Sequence, residues 1–425
     1  MSVGDFTIVS RSLRARLFST GVTAAMVAVA VALLTVLLSL REAASTAFRR
    51  DVGNVHLLVS AEPSPLESVL NGLFYANAPR NPLPHAEFER IAASFPFEYA
   101  IPNAQGDSFF GYPVLATTRD FFTKLEPREG QPWVFQRGTP FSAPFEVVLG
   151  SVPAAASGAT IGQTLHLSHG APGDRAAHEH RDFAFTVVGI LEPSGTPHDR
   201  AVFIDLESTW ILHAHDRRVA ELGPGAGPTT AEHLLPEDRR ITGVYLRVPT
   251  RAGQQLGSVL PQVYAALRAD PRFTVVNPRT EVDRLFAIVG SVDQLFYAMA
   301  AAVLVSSALS IMLALYNQME QRRRQIAVLR VLGASRGRVF ALVLTESAVI
   351  GLVGAGFGAL LAAAGMVAAS AVLARELGLR LDATVDPKSA VVIVAAAVAL
   401  CALAGLVPAV AGYRTSVVRN LRPAA

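Results

Sequence analysis

Two segments of the chain carry side chains with chemistry to perform. The first runs from Asn317 to Arg338 and reads NQMEQRRRQIAVLRVLGASRGR. Met319, Ile326, Leu329 and Leu332 or Gly333 fall on one side at helical spacing, while Arg322, Arg323, Arg324 and Glu320 fall mostly on the other. Gly333 suits the residue after a helix C-terminus, and Ser335 suits the N-cap of the helix that follows. A cationic amphipathic helix ending in a tight turn can lie on a membrane surface or dock to a protein partner. The second segment holds eight of the ten histidines, between His166 and His233. His178-Glu179-His180 and His213-Ala214-His215 are H-x-H pairs. In a strand, residues two apart share a face and both can ligate Zn²⁺. In a loop, solvated imidazoles are the simpler reading.

Other chemistry finds no support. No G-x-x-x-x-G-K-S/T phosphate loop occurs, so ATP binding by that device is closed to this chain and energy must come from a partner. No Ser-His-Asp set or carboxylate pair can be argued from spacing, and no catalytic or cofactor-binding residue is expected. The single cysteine, Cys401, lies inside an apolar run. No intrachain disulfide can form, so a soluble domain here depends on its own core.

The elements that must position these residues are mostly apolar spans. Leu295 to Tyr316 is 22 residues without a charge; the run from Phe340 is broken only by Glu346; Ala390 to Val410 and Phe18 to Leu40 are two more. About 20 apolar residues cross a hydrocarbon core of about 30 Å as a helix. Phe18–Leu40 exceeds the roughly 7–15 apolar residues of a cleaved signal peptide, so it reads as a retained span. Hydrophobic residues make up 51% of the chain and charged residues 17%, and the apolar excess sits in these four runs. Glu346 is costly in a bilayer; close to the connector, it suits a cap or inter-helix hydrogen bond. Gly354-x-x-x-Gly358 follows no strand and reads as small residues permitting close helix packing.

Basic residues set the orientation. Arg11, Arg14 and Arg16 precede the first span, Arg322 to Arg338 separate the second from the third, and Arg414, Arg419 and Arg422 follow the fourth. These segments share one side if both termini are cytoplasmic and the large middle region lies outside. That region alternates strand patterns (Asn54–Ser60, Asp182–Leu191, Arg200–Asp205, Ile241–Val248) with helical ones (His85–Ser94, Arg251–Arg268). Ser60 to Pro82 holds an apolar centre, Val69 to Tyr75, that suits a short amphipathic helix beside the membrane or a packed loop. A helix from Thr280 to Tyr316 would be roughly 55 Å long, about 25 Å more than the bilayer needs. The excess forms a stalk unless the helix breaks near Gly290.

The fold expected is therefore a membrane protein of four transmembrane α-helices, one before and three after a large α+β extracytoplasmic domain. Its divisions are a cytoplasmic segment 1–17, a span 18–40, the outer domain with stalk helices 41–294 (with a β-rich insert at 140–235), and a span 295–316. The cytoplasmic connector 317–338, a span 340–373, an outer loop 374–389, a span 390–410 and a cytoplasmic tail 411–425 complete it.

The string QRRRQIAVLRVLGASRGRVFALVLTESAVIGLVGAGFG resembles the signature of the FtsX/MacB-like permeases, the membrane subunits of type VII ABC transporters. Ile326, Leu329, Arg330, Leu332, Gly333, Ala334, Ser335, Glu346 and Gly354 occupy the positions of that signature, and the ending through Pro408, Arg414 and Arg422 is similar too. The resemblance implies a bacterial inner-membrane subunit without ATPase activity of its own, and ATP bound by a cytoplasmic P-loop ATPase dimer. Arg322 to Ser335 would be the helix that couples to that ATPase. A second permease copy and membrane lipid would be partners, with a periplasmic adaptor or binding protein where one exists; nucleic acid is not among them. The work implied is export or extraction by mechanical transmission. The alternatives are a signalling subunit that regulates an external partner, or a lipoprotein-releasing permease.

Overall fold

A computed structural model describes residues 5–14, 17–169, 178–179, 182–223, 227–250, 258–331, 333–377 and 384–413. The chain forms two compact units: residues 45–287 with 372–381, and residues 1–44, 288–371 and 382–425.

In chain order, α1 (Asp5–Arg14) and α2 (Leu17–Arg50) precede β1 (Leu57–Ser60), α3 (Pro65–Gly72), β2 (Leu83–Pro84) and α4 (His85–Ser94). Then come β3 (Tyr99–Phe109), β4 (Tyr112–Thr117), α5 (Asp120–Thr123), β5 (Phe135–Gly138), β6 (Glu146–Leu149) and α6 (Ser151–Ser157). β7 (Thr164–Leu165), β8 (Ser168–His169), β9 (His178–Glu179), β10 (Phe185–Leu191), β11 (Val202–Asp205) and α7 (Leu206–Leu222) follow. β12 (Arg240–Ile241), β13 (Gly243–Arg247), α8 (Leu260–Arg268) and β14 (Thr274–Val276) close the soluble part. The rest is helical: α9 (Pro278–Val331), α10 (Arg336–Leu377), α11 (Pro387–Ala404) and α12 (Leu406–Tyr413).

The first unit is built on one mixed sheet in the order β14-β1-β13-β3-β4-β11-β6-β10-β5, with β7 on β10, β8 on β3 and β9 on β8. β11 runs parallel to β4 and β10 parallel to β6; the other pairs are antiparallel. Strands β1, β6, β11 and β13 are buried on both faces, as their apolar sequences LLVS, EVVL, VFID and GVYLR suit. Leu57, Val59, Val147, Leu149, Val202, Ile204, Val244 and Leu246 belong to one core, beneath α4, α6, α7 and α8. Their neighbours Leu58, Val148, Phe203 and Tyr245 belong to a second core with Val69 and Leu73 around α3 and Phe121 and Phe122 of α5. The region expected as a β-rich insert is continuous with the rest. β11 joins β6 to β4 in the same sheet, and α6 and α7 lie within it.

The segment after β1 forms a helix, α3, with Ser64 accepting from Glu67 N at 3.1 Å as N-cap. Its apolar side closes the core rather than facing outward: Val69 is 1% and Leu73 2% exposed. Tyr245 Oη donates to the Gly72 carbonyl and fixes the helix end. The last turn of α2 and the first turns of α9 also belong to this unit. Arg49 Nε lies 2.7 Å from Asp283 Oδ1, and the Phe48 and Phe286 rings meet edge to face at 5.7 Å.

The second unit is helical. Four helices among the described residues are long and apolar enough to cross a membrane: Leu17–Arg50, Tyr297–Asn317, Arg336–Leu373 and Pro387–Ala411. α9 runs unbroken past Gly290. Its only proline stands at the first position, where a missing N–H does no harm, and Gly290 alone interrupts 54 residues otherwise without a breaker. α11 begins at Asp386, whose carboxylate accepts from Lys388 N and Ser389 N. Large aliphatic and aromatic side chains on these helices, among them Leu352, Phe357, Leu360, Val367 and Val391, remain exposed. Aliphatic residues facing outward on a helical bundle suit a lipid solvent.

Candidate functional site

The connector between the second and third spans departs from the expected separate helix. α9 continues through the span into the connector as far as Val331, because nothing in NQMEQRRRQIAVLRV terminates a helix. Arg322, Arg323, Arg324, Ile326, Leu329 and Arg330 stand on this helical backbone; their side chains, and Leu332 entirely, lie outside the described residues. The turn itself is described. Gly333 has φ +100°, in the left-handed region, with open space around it. The turn thus needs glycine for its backbone and not for room. Ala334 separates it from Ser335, whose Oγ accepts from Arg338 N at 3.2 Å and caps α10. The first turns of α10 are anchored on the C-terminal helix. Val339 and Val343 are buried with Ala409, and the Arg336 guanidinium stands 5.8 Å from the centre of the Tyr413 ring.

α10 then packs through its small residues. A Cβ on Gly354 would stand 2.7 Å from the Ala24 carbonyl oxygen and 2.8 Å from Val27 Cβ. On Gly358 it would meet the Ala28 oxygen at 2.6 Å and Val31 Cβ at 2.8 Å, and on Gly365 it would meet Val36 at 3.2 Å. Numbers rise together along both helices, so α2 and α10 are parallel neighbours. Against α11 the order reverses: Ser347 meets Gly405, and Gly351 meets Cys401, which makes that pair antiparallel. Glu346 is 6% exposed and Ser347 fully buried, on the same turn. The roles of Ser347, Gly351, Gly365 and Gly405 escaped the sequence reading. Ser347 and Gly351 share the four-residue spacing of Gly354 and Gly358, which is the signal by which those two could be found; Gly365 and Gly405 stand outside it.

Of the two histidine pairs, the structure describes the side chains of His213 and His215 alone. His180 lies outside the described residues, and His178 is known only as a backbone position in β9. His213 and His215 sit on α7, where residues two apart diverge by about 200° around the axis. His215 Nδ1 is hydrogen bonded to Thr229 Oγ1 at 3.0 Å and its Nε2 lies 3.5 Å from Asp182 Oδ2. His213 Nε2 instead lies 3.9 Å from Asp107 Oδ1. Among the described residues, no group of three His, Cys, Asp or Glu side chains is placed to hold a metal ion.

Two titratable groups of the soluble unit are buried. Asp51 follows α2 directly and is 1% exposed, with Oδ1 3.3 Å from Arg50 Nε and 3.7 Å from Arg128 Nε. Burial pushes its carboxyl up to about 6, although both arginines pull the other way. His198, also buried, is hydrogen bonded through Nδ1 to Tyr75 Oη at 2.6 Å. Burial pushes its imidazole down to about 3, so the ring is neutral at physiological pH.

These features have relatives. The family model for the MacB-like periplasmic core domain matches residues 20–249, more than half of the chain. The model for the FtsX-like permease C-terminal region matches residues 297–417. Among solved structures, one that is similar is the crystal structure of the periplasmic region of MacB from Actinobacillus actinomycetemcomitans. Identity is 11%, the match covers 55% of this chain and 93% of that one, and the TM-score is 0.32. Another is the extracellular domain of the noncanonic ABC-type transporter YknZ from Gram-positive bacteria, at 8% identity, 52% and 99% coverage and a TM-score of 0.28. No curated protein matches the sequence.

Proposed function

Because the chain belongs to the MacB/FtsX-type permeases, membrane subunits of ABC transporters that work with a cytoplasmic ATPase, we propose that it is a mechanical transmitter. In this reading ATP hydrolysis in a separate P-loop ATPase dimer displaces the connector, and the displacement moves the extracytoplasmic domain. That movement drives export or extraction of a substrate from the periplasm or outer leaflet. Two copies of the chain assemble with the ATPase in a bacterial inner membrane, with both termini and Arg322 to Ser335 in the cytoplasm.

The observation that carries the proposal is α9. One helix without an internal proline holds residues of the soluble unit at Pro278, a membrane span at Tyr297–Asn317 and the connector at Val331. A continuous helix passes on displacement that a hinge would absorb. The parallel packing of α2 and α10, with α11 antiparallel, supports the orientation, since it suits an N-terminus and a connector on one side. The basic residues at Arg11, Arg14, Arg336 and Arg338 favour that side being cytoplasmic.

The direct test introduces Val289→Pro into α9 of the full chain, co-expressed with its ATPase in lipid nanodiscs. The ATPase should still co-purify and hydrolyse ATP, while substrate export falls to background. Export at the wild-type rate in this variant would rule out α9 as the lever. Orientation is tested separately with Phe110→Cys in a Cys401→Ala background. Phe110 is 74% exposed, and a membrane-impermeant maleimide should label it in spheroplasts. Labelling only after lysis would overturn the topology.

A further inference from the structure

The C-terminal end of α2 is tied to the sheet by one buried joint. Asp51 to Asn54 follow α2 and lead into β1, and residues 124–131 are fastened to them. Asn54 Nδ2 donates to the Lys124 carbonyl at 3.1 Å, and its Oδ1 accepts from Glu126 N at 3.0 Å and from Tyr99 Oη at 2.8 Å. The first turn of α9 joins the same residues. Arg279 Nη2 donates to the Gly53 carbonyl at 3.2 Å and reaches Glu129 Oε2 at 2.7 Å. Three elements that a lever would move against one another, α2, the sheet and α9, therefore meet in one short segment.

Inside the joint is a carboxylate with incomplete hydrogen bonding. Asp51 is 1% exposed. Its Oδ1 lies 3.3 Å from Arg50 Nε and 3.7 Å from Arg128 Nε, the second beyond hydrogen-bond reach. Its Oδ2 is buried and has no hydrogen-bond partner among the described residues. Asp199, in the turn before β11, is the third charge acting on it. That carboxylate is itself satisfied by Ser194 N, Ser194 Oγ and Gly195 N, each at 2.7 Å. The other charges of these elements pair elsewhere: Arg49 with Asp283, Lys124 with Asp120, Glu126 with Gly130 N and Glu129 with Arg279. A carboxylate out of water with one oxygen unsatisfied favours its neutral form. Burial outweighs the two arginines here, and the folded group titrates at about 6 rather than 3.8. The ionised form regains its solvation only where water reaches Oδ2, so ionisation favours an opened joint.

We propose that this joint is a proton-operated latch between α2 and the sheet: a neutral Asp51 keeps residues 51–54 and 124–131 closed on each other, and an ionised Asp51 lets them open to water. Acid around the soluble unit stiffens the attachment of the lever, and neutral surroundings loosen it. Which compartment's acidity is sensed rests on the extracytoplasmic placement proposed above; the latch itself does not.

Hydrogen–deuterium exchange of the full chain in nanodiscs tests the latch. It is read at peptides covering 50–56 and 124–131 and corrected for the pH dependence of intrinsic exchange. A pKa of 3.8 in the open joint and about 6 in the closed one makes opening about tenfold more frequent at pH 7 than at pH 5, levelling off above about pH 6.5. Wild-type protection at those peptides should fall by that factor. Asp51→Asn carries a neutral side chain of the same shape and should keep the acid-side protection at both pH values. Arg128→Gln removes a cation that favours the ionised form, so its midpoint should lie at higher pH than that of the wild type. Wild-type protection that is flat from pH 5 to pH 7 would overturn the latch. So would a pH dependence of wild-type size in Asp51→Asn, or a midpoint in Arg128→Gln below that of the wild type. If exchange follows the expected pattern while Phe110→Cys is labelled only after lysis, the latch stands and the topology falls.

Discussion

Gly358 of α10 lies so close to Val31 of α2 that a Cβ added to the glycine would stand 2.8 Å from Val31 Cβ. One turn earlier Gly354 holds the same relation to Val27. Real Cβ atoms do not approach this closely, so the first and third spans are in backbone-level contact because both positions lack a side chain.

Gly358→Leu and Gly354→Leu should therefore push α2 and α10 apart. Overpacking costs about 1–3 kcal/mol or more, and each variant should melt several degrees below wild type in detergent. Gly356 supplies the comparison: nothing lies within 4 Å of a Cβ there, and Gly356→Leu should melt as wild type. Equal losses at positions 356 and 358 would show that bulk alone, and not helix contact, is responsible.

The connector responds to backbone and charge separately. Gly333→Ala forces a side chain into the left-handed region at about 1–2 kcal/mol without steric contact, and should reduce coupled ATPase activity modestly. Gly333→Pro cannot adopt φ +100° at all and should abolish coupling. Charge reversal at Arg322, Arg323 and Arg324 should do the same by weakening ATPase association. Full coupled activity in both the proline and the charge-reversed variants would remove the connector from the mechanism.

Gly53 joins the end of α2 to the sheet with φ +66°, and a Cβ there would strike the Glu126 carbonyl oxygen. Gly53→Ala combines left-handed strain with a backbone clash and should destabilise the soluble unit by more than about 2 kcal/mol. Gly130 shares the positive φ, at +78°, but has open space around it; Gly130→Ala should cost only about 1 kcal/mol. Thermal melts of the two variants side by side test the difference, and matching shifts would mean the clash with Glu126 is relieved.

The pH dependence of the soluble unit should show two opposing contributions. Asp51 has its folded pKa raised from 3.8 to about 6 by burial. Its contribution is fully present below 3.8 and lost as pH rises through about 6. His198 has its folded pKa lowered from 6.5 to about 3. Its contribution is present above 6.5 and lost as pH falls through about 3. Between about pH 6 and pH 4 the slopes oppose each other. Asp51→Asn removes the acid-side gain, so its melting temperature should fall more steeply than wild type over that range. A melting profile parallel to wild type would show that Asp51 does not titrate there.

Much of this architecture was legible along the chain. Span length, the placement of arginines and the left-handed turn at Gly333 depend on local composition, because a bilayer and a helix end each act on consecutive residues. α4 at His85–Ser94 follows from short-range periodicity in the same way. The single sheet did not. Strands at 146–149 and 202–205 read as part of an insert, because parallel pairing of β11 with β4 joins residues about 90 positions apart and leaves no local mark.

Sequence alone determined that four apolar helices flank a soluble α+β unit, and it supplied the residues that identify the family. Tertiary structure decided which small residues touch. Gly354 and Gly356 are equivalent in type, but only Gly354 faces Val27, since a two-residue step turns a helix through about 200°. It also decided what each histidine meets. His213 reaches Asp107, 3.9 Å away, while His215 on the same helix turns to Asp182, because α7 is set on the sheet by long-range burial rather than by any property of the histidines themselves.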